Sequence, residues 1–219
     1  MKSKLLVLIV LAIGVLTVGC GKKDTTIDWI IDMTNTKQTL NERAKQAFDN
    51  AKSNYSGKLD YVALLAKQVV AGTNYMFLCK DDNSYKVAVV YNNLEGVSQI
   101  TQVNEFNPVK YVNERFELDN EQLVGGWSVE IPEEKMELPN GIQNYFNKAT
   151  STLTGATYYP VAVLAHQEKS GTNYAILCFG EGSYQGSTAG IYVLTLYVDE
   201  TDKPEIVSIA AVDIKEYNK

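Results

Sequence analysis

The chain is nearly without histidine: one residue in 219, His166. That leaves little to work with for general acid–base catalysis near neutral pH or for imidazole-based metal binding. His166 stands in a strand-like stretch and reads as a half-exposed strand residue. Cysteines are also few: Cys20, Cys79 and Cys178. The last two sit in apolar stretches, LC and LC, as small buried hydrophobes. Basic residues number 20 against 26 acidic ones, a formal charge of −6. An acidic balance argues against a nucleic-acid partner, which needs a basic face. Beyond the first 20 residues no apolar run is long enough to span a bilayer. The stretch Gly180-Glu181-Gly182-Ser183-Tyr184-Gln185-Gly186 leads into a strand, so it lacks the helix N-terminus that anion-binding loops use. Glu133-Glu134 and Asp81-Asp82 read as solvated loops. No catalytic residue, metal or cofactor is expected, and the chain reads as no enzyme.

What is present begins at the N-terminus, MKSKLLVLIVLAIGVLTVGC. Lys2 and Lys4 precede an apolar run from Leu5 to Val18, the pattern of a secretory signal. The run closes on Leu16-Thr17-Val18-Gly19-Cys20, which resembles a bacterial lipobox. Gly19 supplies the small residue that peptidase access requires, and Thr17 departs from the commoner Leu. The resemblance implies a signal peptide over 1–19, lipidation of Cys20, a tether over 20–25 and a partner in the membrane itself. The chain is then expected on the extracytoplasmic side of the cell membrane. Cleavage before Cys20 leaves 200 residues and, with Lys2 and Lys4 gone, moves the formal charge from −6 to −8.

The rest is a tandem duplication. Cys79 laid over Cys178 gives a shift of 99 residues, and VALLAKQVVAGTNYMFLC faces VAVLAHQEKSGTNYAILC. Upstream the shift is 98, pairing Trp29 with Trp127, Phe48 with Phe146 and Gly57 with Gly155. Units of this length are domain-sized, too long for solenoid turns. We expect one unit over 26–106, a linker over 107–122 and a second unit over 123–219. One cysteine per unit excludes a disulfide within either.

Each unit reads alike. Thr39-Leu40-Asn41-Glu42 fits a capping box for a helix over 39–54, with Leu40, Ala44, Ala47, Phe48 and Ala51 as its apolar stripe. A second helix begins near Pro139 and presents Ile142, Tyr145, Phe146, Ala149 and Leu153. Strands follow in both units: one leading to Gln68 or Gln167, then NYMFLC or NYAILC, then YKVAVVY or IYVLTLYV, then a last strand through Ile100 or Ile206. The expected fold class is α+β, two tandem units, each one helix on a four-stranded antiparallel sheet.

A helix followed by a hairpin reading Gln68-Val69-Val70-Ala71-Gly72 resembles the cystatin family of cysteine-protease inhibitors. In that family a Q-x-V-x-G turn, an N-terminal glycine segment and a second hairpin bearing Pro-Trp form a wedge that enters papain-like active-site clefts. The second unit has Leu123-Val124-Gly125-Gly126-Trp127 where the family has its glycine trunk. Its hairpin, however, reads Gln167-Glu168-Lys169-Ser170-Gly171, and neither unit has Pro-Trp in its second hairpin. The resemblance implies cystatin-like units in both halves. The candidate contact residues are Gln68, Val69, Val70, Ala71 and Gly72, with Val124, Gly125, Gly126, Trp127, Gln167, Glu168 and Gly171 as the second set. The glycines and the Thr-Asn-Tyr that follow them are explained by the turn and the sheet. Val69 and Val70 are apolar where the second unit has Glu168 and Lys169, and exposed apolar residues at a hairpin tip ask for a covering partner. The expected role is a surface lipoprotein that binds protein or peptide ligands, with inhibition of a papain-like cysteine protease through Gln68–Gly72 as the alternative.

Overall fold

The computed structural model describes residues 28–31, 33, 41–112, 126–130 and 138–218. The signal segment, Cys20, the tether, Thr39, Leu40, residues 113–122, Val124 and Gly125 lie outside the described residues.

Helix α1 spans Glu42–Lys52, and Asn41 caps it through a side-chain oxygen that accepts from the Arg43 backbone N–H at 2.9 Å. Glu42 in the first turn and Lys52 in the last oppose the helix dipole favourably. Ala44, Ala47, Phe48 and Ala51 form its buried stripe. A meander of β1 (Asp60–Val70), β2 (Gly72–Lys80), β3 (Tyr85–Asn92) and β4 (Ser98–Phe106) follows, antiparallel throughout. The second half has β5 (Ser128–Val129), then α2 (Asn140–Thr150) with Pro139 at its N-cap. Strands β6 (Ala156–Lys169), β7 (Gly171–Gly182), β8 (Gly190–Val198) and β9 (Pro204–Ala211) complete it. The duplication extends to irregularities. Both β1 and β6 carry two register shifts, at Tyr61/Ala63 and Leu64/Ala66 and at Pro160/Ala162 and Val163/Ala165. Such bulges bend a strand and increase its twist.

The expected fold class is corrected here. The described chain is mostly β, with sheets of four and five strands and only two α-helices, and is not a pair of helix-on-four-strand units. Two physical causes account for the difference. Ser128 and Val129 pair with His166 and Ala165, adding a fifth strand too short to show a period of its own. More importantly, each sheet is apolar on both faces. In the first, Leu64, Phe77, Ala88 and Val90 meet α1, whereas Leu65, Met76, Leu78 and Val87 point the other way. These last residues share one cluster with Leu164, Ala175, Leu177 and Val193 of the second sheet, whose opposite face carries α2 against Cys178, Leu194 and Leu196. The order of layers is helix, sheet, sheet, helix, and the two repeats close one common core.

Two contacts across the seam between the halves join matching residues. The 3-10 turns Pro108–Tyr111 and Ile214–Tyr217 follow β4 and β9 in the same way. The Tyr111 and Tyr217 hydroxyls lie 2.9 Å apart, and Lys110 meets Glu216 at 2.5 Å. Matching residues in mutual contact are the mark of an isologous, two-fold-like interface. Part of the expected linker thus belongs to the core: Tyr111 and Val112 are buried in it.

Candidate functional site

The two hairpins share a frame. Asn74 donates to the Gln68 side chain at 2.9 Å, and Asn173 donates to Gln167 at 3.1 Å. Gly72 and Gly171 have φ of +123° and +114°. A Cβ at Gly72 would stand 2.4 Å from the Asn92 carbonyl oxygen, and one at Gly171 equally close to that of Val198. Only glycine lets the hairpin tip lie so near the strand beside it. The Tyr91 hydroxyl donates to the Ala71 carbonyl, and that of Tyr197 to Ser170. Gln68, Gly72, Gln167 and Gly171 therefore hold the turn, and the middle residues are left to differ.

That frame brings a second turn alongside the first. Asn93 closes it by accepting from the backbone of Glu95 and Val97 at 3.0 and 2.8 Å, and Asp199 does the same for Thr201 and Lys203 at 2.8 and 2.9 Å. On the outer side of β1, Ile30 exchanges both backbone hydrogen bonds with Lys67, as Ser128 pairs with His166. One end of the first sheet thus carries Ile30 at 49% exposure, Val69 at 49%, Val70 at 39%, Leu94 at 85% and Val97 at 63%. These are five of the seven large hydrophobic residues exposed among the described residues; Val129 and Tyr184 belong to the second repeat.

Register fixes the counterpart of each. Ile30 corresponds to Ser128 through its Lys67/His166 partner, Val69 to Glu168 and Val70 to Lys169 through the hairpin, and Leu94 to Glu200 and Val97 to Lys203 through the matching turns. All five aliphatic residues face a polar or charged residue in the other copy. A fold-imposed position would be apolar in both. We call the five residues of the first repeat the apolar rim.

Of the other candidates, Gly126 is exposed, with open space around it. Trp127 packs on the common core and leads into β5, so it serves the sheet edge. Glu168 lies exposed at the charged tip, while Val124 and Gly125 fall outside the described residues. Ile30, Leu94 and Val97 were missed by comparing the hairpins alone; comparing polarity position by position along the two repeats finds them.

Elsewhere the chemistry is sparse. Cys79 and Cys178 are buried on the helix-facing sides of their sheets, and burial pushes both thiols well above the usual range. His166 pairs through Nδ1 with Glu130 at the β5–β6 edge. Among the described residues no group of three or more His, Cys, Asp or Glu is placed to hold a metal ion, and no helix is long and apolar enough to cross a membrane. No protein-family model, curated protein or solved structure matches the chain.

Proposed function

We propose that the chain is a membrane-anchored lipoprotein, held on the extracytoplasmic side through Cys20, whose first repeat binds a protein or peptide ligand at the apolar rim. The observation that carries this reading is the reversal of polarity at all five rim positions between two copies of one fold. Two adjacent hairpin tips carry exposed aliphatic side chains, which suits a partner with an apolar cleft or an extended apolar peptide. Among the rim residues, Leu94 offers the most exposed side chain, and the first hairpin tip meets the start of its turn where Gly72 approaches Asn92 and Asn93. Panning the chain from Gly21 onward against a displayed random-peptide library tests the site. Recovered apolar peptides that lose binding to Val69→Asp and Leu94→Asp support it; peptides indifferent to both substitutions refute it.

A second reading, inhibition of a papain-like cysteine protease, is favoured by one further feature. The hairpin Gln68–Gly72, the turn at Asn93–Val97 and the single bridge at Ile30 reach the same end of one sheet. The grouping supports the inhibitor reading, although the second hairpin carries Leu94 and Val97 in place of Pro-Trp. Titration of a papain-like protease decides it. Tight reversible inhibition abolished by Val69→Asp establishes the inhibitor, and none at micromolar protein leaves ligand capture alone.

A further inference from the structure

The chain enters the fold at the rim. Ile30 pairs antiparallel with Lys67, while β1 runs from Asp60 toward the hairpin tip. Continuing that register places Asp28, the first described residue, beside Val69 at the rim end of the first sheet. Seven residues, 21–27, separate Cys20 from Asp28. Fully extended, eight Cα steps span at most about 29 Å. The opposite end of the same sheet, the turn from Asp81 to Ser84, lies a further nine-residue strand away, about 27 Å along β2.

We propose that the surface of the bilayer holding the Cys20 lipid is the resting occupant of the rim, which a protein ligand must displace. This rests on the lipid anchor and rim described under the proposed function and adds how that site is regulated. The tether keeps the rim at an effective concentration in the millimolar range near the lipid, so an apolar contact too weak to act from solution is made repeatedly. The rim suits an interfacial seat. Its five side chains are aliphatic, while Asp28 and Glu95 beside them are exposed and keep it at headgroup depth. The second repeat, with Glu168, Lys169, Glu200 and Lys203 at its tips, has no such seat.

The test uses the lipidated mature chain on phosphatidylcholine vesicles. Cys79 and Cys178 are buried, so a single introduced cysteine takes a polarity-sensitive dye selectively. Labels go on Leu94→Cys at the rim and Asn83→Cys at the far turn. We expect the rim label to brighten severalfold, shift to the blue and be quenched by brominated lipid, with the far label unchanged. Both labels reporting water, or both reporting lipid alike, overturns the proposal. Shielding of the rim label in the lipid-free chain that grows with concentration overturns it in favour of a second copy of the chain. Peptide panning with the lipid-free chain reads the ligand site separately. Peptide binding without lipid shielding removes only this inference, and lipid shielding without peptide binding removes the ligand reading and leaves the rim a membrane contact.

Discussion

Leu177→Ala discriminates one common core from two independent units. Leu177 is 1% exposed on β7 and faces the first sheet, where Leu78 is its counterpart. Removing a buried leucine side chain costs about 2–5 kcal/mol, depending on how far the cavity relaxes. With a guanidinium slope of about 5 kcal/mol per molar for a chain of this size, a loss of about 3 kcal/mol lowers the midpoint by about 0.6 M. The two tryptophans give one reporter per repeat, since Trp29 and Trp127 both pack on the shared cluster from matching positions. Leu177→Ala is therefore measured in a Trp127→Phe background, where Trp29 reports the first repeat, and in a Trp29→Phe background, where Trp127 reports the second. If the core is shared, fluorescence from both reporters moves by the same amount, although the substitution lies in one repeat. A fall seen by Trp127 alone, with Trp29 unmoved, refutes the common core.

Gly72→Ala and Gly171→Ala each force a side chain into positive φ against a backbone oxygen, and such strain costs about 1–3 kcal/mol before the clash is relieved. Both should lower the denaturation midpoint by similar amounts, and equal stability to the parent in either would show the tip less constrained than described. In the turn after β2, the backbone N–H groups of Asn83 and Ser84, with Lys86, hold the Asp81 carboxyl down at about 2 from its ordinary 3.8. A lowered folded-state value means stability present above the ordinary range and lost as pH falls from about 4 through about 2. Asp81→Asn should flatten that part of the acid-denaturation profile, and an unchanged profile would contradict the assignment.

Much of the local structure was legible. Ala44, Ala47, Phe48 and Ala51 repeat at helical spacing, the glycines mark the tips, and the repeat itself aligns strand with strand. The stacking of the two sheets was not. Segments such as VALLA and YMFLC are apolar on both faces, so their pattern shows burial without naming what covers each side. A single helix accounts for one face, and the other is closed by residues about a hundred positions away. Gln68 reads as a contact residue in the sequence, which does not show its hydrogen bond with Asn74. The rim was legible only in part, because Ile30, Val69 and Leu94 come together through register and turn geometry.

Lys110 and Glu216 occupy matching places in the two repeats and form an ion pair with each other. Two identical repeats would have set lysine against lysine, or glutamate against glutamate, at that seam. Fusion into one polypeptide allowed the copies to become complementary, and the halves have ceased to be interchangeable. The pair favours a first repeat set on a second repeat over two like repeats from different chains, by the small margin of an exposed ion pair.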